Sequence, residues 1–319
     1  MLMPVAALAL AVWLYLALAR GGYWRFDLPE PIRDSGALPA VVAVVPARNE
    51  AAVVGKAVKS LLDQDYPGAL HVVLVDDHSG DGTAALAEEM GARVVPFRWD
   101  GRYPKKKQWC LQTLPFRHDW VLFVDADERV SAGLAQEIAS LMKIGPRAAG
   151  YFIAGQPVFA GKPLRFGAWN RKLALLDRNR AAFPPFPDLD VDRMWEVEGH
   201  YQPCLDGPAG SLRGRMTHHD AKPLHAWFDR HNRYSDWEAA LIADGRLRIL
   251  AEREEGARRL LKRVFHRLPA RAPSVFLHSY VLCLGFLDGV DGWDYAVARA
   301  FYYWQVAVKA RVRRGGPVL

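Results

Sequence analysis

The chain has 319 residues, 51% of them hydrophobic and 24% charged, with 21 Pro and 26 Gly. That balance excludes a disordered tail, a collagen and a polytopic membrane protein, and it supplies core for about two domains. Lys and Arg exceed Asp and Glu by 42 − 35 = +7, which calls for an anionic partner: a nucleotide, a nucleic acid or a membrane.

Residues 1–19 carry no charge and are almost wholly apolar. As a helix they run roughly 27–29 Å, about one hydrocarbon core. Arg20 stops the run, and Trp24, Arg25 and Arg33 follow. Cations on the C-terminal side alone predict a retained transmembrane anchor over residues 1–20 and a linker over 21–38, with the rest of the chain cytoplasmic. The rival is a cleaved signal peptide, because Ala17-Leu18-Ala19 has the form of a cleavage site. The lack of Lys or Arg before the apolar run favours the anchor.

Residues 40–150 read as alternating strands and helices. Ala40–Val45 is a β-branched run ending at Pro46, and Asn49 is placed to cap a helix through Gln64 with Val53, Val54, Val58, Leu61 and Leu62 apolar. His71–Val75 is a second strand, a helix runs from Thr83 to Met90, and further strands cover Arg93–Pro96 and Trp120–Val124. Such alternation predicts a mainly parallel sheet with both faces covered. Ligands bind beyond the C-terminal ends of such strands. The polar clusters Pro46–Glu50, Asp76–Asp81 and Asp125–Glu128 all fall there, which points to one shared site.

The basic excess concentrates near the other end. Residues 246–271 hold nine Lys or Arg against three Glu, a balance of +6. Within them Ala257, Leu260, Leu261, Val264, Phe265 and Leu268 form one helical face and Arg258, Arg259, Lys262, Arg263 and Arg267 the other. Two apolar stretches follow, Val275–Leu287 and Tyr295–Val308, each short for a bilayer span and followed by Lys309, Arg311, Arg313 and Arg314. Amphipathic, Arg-rich, Trp- and Tyr-decorated segments over 226–319 suit helices lying on an anionic membrane. An ordinary helical subdomain with a solvated basic face fits the same pattern.

The strand ends lack GxGxxG and GxxxxGK[ST], so neither a dinucleotide fingerprint nor a Walker loop is encoded. They offer carboxylates. Asp125 and Asp127, one residue apart, can share a divalent cation (Mn²⁺ or Mg²⁺) and the ribose of a nucleotide diphosphate, and Asp77 can accept hydrogen bonds from a base or ribose. Lys105, Lys106 and Lys107 can reach phosphates or form an exposed face. With Asp76, Asp77, Asp125 and Asp127 together the site reads as acidic and cation-dependent. Cys110, Cys204 and Cys283 lie far apart with no CxxC pair, so a disulfide framework is not encoded and a reducing compartment fits.

Val44-Val45-Pro46-Ala47-Arg48-Asn49-Glu50, Val75-Asp76-Asp77-His78-Ser79-Gly80-Asp81-Gly82-Thr83 and Phe123-Val124-Asp125-Ala126-Asp127-Glu128 resemble the three signature blocks of family 2 glycosyltransferases. The resemblance implies a GT-A fold, a Rossmann-like and mainly parallel α/β sheet flanked by helices over residues 39–225. It also implies use of a nucleotide sugar, with UDP the nucleotide, and inversion of the anomeric centre. On it, Pro46, Ala47, Arg48, Glu50 and Asp77 cradle base and ribose. Lys107 lies near the phosphates, Asp125 approaches the ribose or metal, and Asp127 binds the metal.

A second resemblance reaches the C-terminus. Gly210-Ser211-Leu212, His218, Asn232-Arg233-Tyr234 with Glu238-Ala239, and Gly285-Phe286-Leu287-Asp288-Gly289 are similar to a lipopolysaccharide-core glucosyltransferase-like subgroup, whose acceptors are lipid-linked saccharides. It implies His218, or adjacent His219, as a metal ligand beside Asp127. That subgroup carries Val-His-Glu where this chain reads Glu198-Gly199-His200-Tyr201, so Tyr201 replaces the carboxylate if His200 matches. Glu198, on the same face of a strand as His200, is the candidate base, with Asp192 and Glu196 as rivals. Trp109, Trp169 and Trp195 can stack on sugars or fill core. The QxxRW motif of processive synthases is absent, which favours single addition. Two other classes fit less: a catalytically silent nucleotide-sugar-binding module, and a nucleic-acid binder using the basic helix.

Overall fold

The computed structural model describes residues 10, 11, 14, 38–100, 103–114, 119–185, 202–218, 223–245 and 271–315. The chain divides into two compact units, Met1–Gly36 and Ala37–Leu319, and the sheet with its helices belongs to the second. In the first, Leu10, Ala11 and Leu14 are helical, while the remainder of the predicted anchor lies outside the described residues. So do the basic segment 246–270 and the predicted base Glu198 with Asp192 and Glu196.

Val41–Ala47 (β1) lies inside the sheet, with Val41 to Val45 buried on both faces, as in a strand covered from two sides. It pairs in parallel with Leu70–Asp76 (β2), which pairs in parallel with Arg93–Pro96 (β3); its other neighbour, also parallel, is Trp120–Phe123 (β4). Glu128–Val130 (β5), Gly150–Gln156 (β6), Asn170–Asp177 (β9) and Ala209–His218 (β12) complete eight strands in the order β3-β2-β1-β4-β9-β6-β12-β5. Val158–Phe159 with Lys162–Pro163 (β7, β8) and Ala181–Ala182 with Cys204–Leu205 (β10, β11) form two small ribbons.

Strand β9 is antiparallel to β4 and β6, β12 is parallel to β6, and β5 is antiparallel to β12. Six of the eight strands therefore point one way, in accord with a mainly parallel sheet. The two reversed strands, β5 and β9, begin at the edge where the parallel strands end. Residues from strand starts and strand ends thus meet along one edge.

Pro46 sits within β1 without breaking the ladder. Val44 O accepts from Val124 N, and Ala47 O accepts from Asp77 N, so even-numbered residues face β4 and odd-numbered ones β2. Pro46 faces β4, where pairing has already ended at Val44 opposite Phe123. Its missing N–H removes no bond.

Helices cover both faces. Ala51–Leu62 (α1), Thr83–Glu89 (α2) and Ala132–Ile144 (α4) bury Val54, Val58, Ala87, Leu134 and Met142 with Ala43 and Val45. On the opposite face, Lys106–Thr113 (α3) and Leu224–Ala243 (α5) bury Cys110, Leu111, Trp237 and Leu241 with Val42 and Val44. The alternating valines of β1 feed one core each way.

The C-terminal part runs through Arg271–Leu277 (α6), a π turn His278–Leu282, a 3-10 turn Gly285–Asp288, and Gly289–Arg313 (α7). The two predicted apolar stretches fall in this pair, bent by 70° at the break. Among the described residues no single helix is long and apolar enough to cross a membrane. Residues of the second resemblance clamp this part together. Glu238 accepts from Tyr302 Oη at 2.6 Å, Asn232 O accepts from Lys309 Nζ at 2.9 Å, and Gly285 approaches so closely that a Cβ would stand 2.7 Å from Ser279 O.

Strand β12 shifts register against β6 between Ser211 and Arg215. The amides of Arg213 and Gly214 there donate to the Glu137 carboxylate on α4, at 2.9 and 2.6 Å. A Cβ on Gly214 would lie 2.6 Å from Leu134 Cα, so the bulge admits only glycine. Gly214→Ala is expected to lower unfolding stability by about 1–3 kcal/mol, the range for overpacking, measured by chemical denaturation. A change within a few tenths would mean that β12 does not seat against α4 as described.

Candidate active site

The loop after β1 and the loop after β2 are stitched to one another. Asn49 N donates to Ser79 Oγ at 2.9 Å, and Gly80 N donates to Asn49 Oδ1 at 2.9 Å. Glu50 N donates to Thr83 Oγ1 at 2.8 Å, and Ala51 N donates to Asp81 Oδ2 at 3.0 Å. Asn49 was expected to cap α1 and does not. It adopts a left-handed conformation (φ 54°), which Asn tolerates better than most residues. The first amides of the α1 turn are satisfied instead by Asp81 and Thr83 of the other loop. Hydrogen bonds from the Thr83 hydroxyl and from Ala51 N hold Asp81 below the usual carboxylate range. Ser79, Asp81 and Thr83 are therefore structural, whereas Asp77 pairs with Arg48 and Lys106 of the neighbouring elements.

Asp77 is buried between two cations, Lys106 Nζ at 3.3 Å and Arg48 Nη1 at 3.8 Å, with the His78 imidazole Nδ1 at 3.8 Å. Beneath it Asp76 accepts from Ser79 N through one oxygen, and its other oxygen is buried with no partner among the described residues. The lysine run is not a solvated face. Lys105 and Lys106 are only 5% and 8% exposed, and Lys105 lies over the Trp99 ring. Helix α3 starts at this run, and Lys106 and Lys107 of its first turn reach Asp77 and Asp125.

The third cluster is wired to the reversed strand β9. Asp125 receives Lys107 Nζ on one oxygen at 3.2 Å and Lys172 Nζ on the other at 2.7 Å. Lys172 also pairs closely with Glu128, whose carboxylate accepts from Asp125 N at 3.0 Å. Burial pushes Asp125 up, but the two lysines outweigh it and hold the carboxyl far below its ordinary range. Burial alone would lower Lys172, yet Asp125 and Glu128 raise it. Burial keeps Glu128 above its ordinary value despite Lys172.

Asp127 and His218 also meet. His218 Nε2 stands 3.2 Å from Asp127 Oδ2, brought there by the pairing of β12 with β5. One oxygen and one imidazole nitrogen suit a Mn²⁺-type cation. Among the described residues no third His, Cys, Asp or Glu joins them, so the remaining donors of a bound cation would be a ligand's phosphate oxygens or water.

The predicted residues Pro46, Ala47, Arg48, Glu50, Asp77, Lys107, Asp125, Asp127 and His218 thus all stand along one edge of the sheet. Glu198 and Trp195 lie outside the described residues. The expectation of an acidic site is corrected: Asp77, Asp125 and Glu128 each hold a lysine. Lys172 and the pairing roles of Lys106 with Asp77 and of Glu128 with Lys172 went unread in the sequence. The signal for Lys172 was a cation at the mouth of the apolar run Leu173–Leu176. Trp109 packs on Phe97 at a tilt, and Arg215 lies over the Trp169 ring at 4.2 Å.

Lys172→Met leaves Glu128, only 7% exposed, and Asp125 without their shared cation. It is expected to cost about 3 kcal/mol at neutral pH, the low end for breaking a buried pair, because the Asp125 side chain is 40% exposed. In the wild type, the depressed Asp125 contributes stability above its unfolded value and loses it as pH falls through the acid range. The raised Lys172 contributes below its unfolded value and loses it only in strong alkali. Denaturation across pH tests this: the variant is expected to recover stability toward mildly acid pH, where Glu128 takes up a proton, and a pH-independent loss would contradict the network.

Residues 42–190 match the family model for glycosyl transferase family 2. The chain is 30% identical over 265 residues to an uncharacterized glycosyltransferase of Rickettsia prowazekii, covering 80% of each protein. It is 27% identical over 280 residues to the lipopolysaccharide core biosynthesis glycosyltransferase LpsC of Rhizobium meliloti, covering 82% of this chain and 92% of that one. Against glycosyltransferases of Rickettsia felis and Rickettsia bellii the similarity spans 32% and 40% of their length. Mannosyltransferase PcManGT of Pyrobaculum calidifontis, solved with GDP-Man and Mn²⁺, superposes over 89% of this chain and 91% of its own at a TM-score of 0.50 and 18% identity, a likeness of fold. The mixed α/β sheet, the three strand-end blocks and the length of these matches agree: the chain belongs to glycosyl transferase family 2.

Proposed function

We propose that this protein transfers one sugar from a nucleotide sugar, with UDP the nucleotide, to a saccharide or lipid-linked acceptor, with inversion. The observation that carries this reading is the convergence of three polar loops from three parallel strands, together with Lys172 from a reversed strand, on one edge. Relatives support it: LpsC is named for lipopolysaccharide core biosynthesis, and a beta-monoglucosyldiacylglycerol synthase of Synechocystis is 47% identical over 182 residues, 55% of this chain and 34% of its own.

In this reading Arg48 and Asp77 hold the base and ribose. Lys107 and Lys172, held in place by Asp125, would offer their remaining N–H donors to the diphosphate, so less lysine rotamer entropy is lost at binding. Asp127 and His218 would hold a divalent cation, which supplies charge neutralisation of the departing diphosphate. The acceptor hydroxyl oxygen attacks the anomeric carbon as the bond from that carbon to the diphosphate oxygen breaks. Glu198 takes the hydroxyl proton, and the nucleoside diphosphate leaves with the bonding electron pair. The apolar run over residues 1–20 is proposed as a retained anchor with the catalytic unit on the cytoplasmic side, supported by the cations that follow it.

Thermal denaturation with UDP-sugars, with and without Mn²⁺ or Mg²⁺, tests the site. Wild type is expected to be stabilised by nucleotide sugar and further by metal. Asp127→Ala is expected to lose the metal increment, and a metal increment intact in that variant removes Asp127 as a ligand. Glu198→Gln is expected to lower kcat by about 10²–10⁴-fold, the range for a lost general base, with nucleotide-sugar affinity unchanged. Full turnover in that variant excludes Glu198. Binding without nucleotide release for any acceptor would instead favour a silent binding module.

A further inference from the structure

Nineteen large hydrophobic side chains are exposed among the described residues, and twelve of them lie between Leu277 and Val312. They are not scattered. Val290, Trp293, Val297, Phe301 and Trp304 follow one another at three- and four-residue steps on α7, a single stripe of about 21 Å at 1.5 Å per residue. Leu282, at 69% exposure, with Leu284, Phe286 and Leu287 extends the stripe around the 70° bend. Leu284 holds a left-handed conformation (φ 59°) there, a cost of about 1–2 kcal/mol for an L-residue. Backbone strain is thus accepted to project an apolar tip.

The other face of the pair is committed to the catalytic unit. Tyr302 and Lys309 fasten α7 to α5. Asp288 accepts from Phe166 N at 2.8 Å, Cys283 O accepts from Gly167 N at 2.9 Å, and Arg299 Nη1 donates to Ala168 O at 2.6 Å. Acidic groups of the pair point the same way: Asp291 meets Lys162. Among the described residues only Asp294 borders the stripe as an exposed carboxylate. At the far end stand exposed Arg311, Arg313 and Arg314. Aromatic and aliphatic side chains on one face, tryptophans among them, and arginines at one end match the layers of an anionic lipid leaflet: acyl chains, interface and headgroups. The bonds to α5 hold α7 against the protein, a geometry that suits a helix lying in a leaflet and not one crossing it.

We propose that the bent pair formed by α6, the two turns and α7 enters one leaflet of an anionic bilayer through this stripe. We propose further that its grip on Phe166–Ala168 sets the sugar-transfer edge beside the headgroups. Strand β9 starts two residues past that loop and carries Lys172 to Asp125, so the acceptor is a hydroxyl borne on a lipid of the same leaflet. The leaflet contact stands on its own geometry; the acceptor class rests on the transferase reading above.

Because the apolar run over residues 1–20 is itself proposed as an anchor, the test reads this surface locally. The full chain is labelled by hydroxyl-radical footprinting with phosphatidylcholine vesicles, with and without phosphatidylglycerol. Trp293, Phe301 and Trp304 are expected to lose most of their labelling on the anionic vesicles, while exposed Leu62 and Ile144 keep theirs. Vesicle-bound protein with unchanged labelling at the stripe overturns the proposal, as does protection without vesicles that grows with protein concentration, the mark of a second copy. Val297→Glu/Phe301→Glu and, separately, Leu282→Glu/Phe286→Glu are expected to keep the thermal shift with nucleotide sugar and release of nucleotide to a soluble acceptor. Transfer to a vesicle-embedded acceptor is expected to fall by about tenfold or more, since each lost apolar insertion is worth over 1 kcal/mol. Equal loss with both acceptors overturns the link to the transfer edge. Protection of the stripe in a protein that turns over no nucleotide sugar would sink the transferase reading and leave the leaflet contact standing.

Discussion

Two lysines from opposite sides of the sheet close on a single carboxylate, and the architecture of the edge depends on that contact. Lys107 comes from the helix after β3 and Lys172 from the reversed strand β9, and Asp125 at the end of β4 accepts both. The pair β4–β9 is where the sheet passes from all-parallel to mixed. Without a cation at Lys172, the buried Glu128 beside Asp125 would place two like charges in one pocket, which the low local dielectric penalises. The network ties the two halves of the sheet at the place where their directions oppose.

Ion groups of this kind add little stability compared with well-packed apolar side chains, so stability alone does not account for four charged residues at the sheet edge. A diphosphate does. Lysines already held by Asp77, Asp125 and Glu128 are pre-organised donors, and an anion entering between them would meet cations already largely withdrawn from water. The carboxylates thus have two roles in the proposed chemistry. Asp127 stands with His218 as a donor pair for a cation, whereas Asp125 mainly positions lysines.

The first half of the sheet was legible because its signals are local. Buried strands such as Val41–Val45 are continuous β-branched runs, and each ends in a polar cluster that no core would accept. The shared edge followed from the rule that parallel strands end together. Lys172 and Arg215 were not legible, because their partners are 47 and 46 residues away in Asp125 and Trp169 and depend on which strand is reversed. Asn49 misled for a related reason: capping residues score by neighbourhood, but here the amides of one loop are satisfied by Asp81 and Thr83 of another. Ser79, Asp81 and Thr83 of the block at 76–83 look like chemistry in the sequence and turn out to be joinery.

Charge supplies the last link. The excess of +7 has no home at the sheet edge, where carboxylates and cations pair off, and its largest cluster spans residues 246–271 between α5 and α6. That segment leads directly into the bent pair whose apolar stripe faces solvent. Apolar insertion is short-ranged and indifferent to lipid charge, whereas basic residues act over a Debye length of about 8–10 Å and select anionic surfaces. The two together orient a protein on a leaflet more tightly than either does alone, since one fixes depth and the other fixes which membrane. A transfer edge fastened to that surface through Phe166–Ala168 would then meet its acceptor by diffusion in two dimensions, and specificity for a lipid-borne hydroxyl would come as much from placement as from contacts in the cleft.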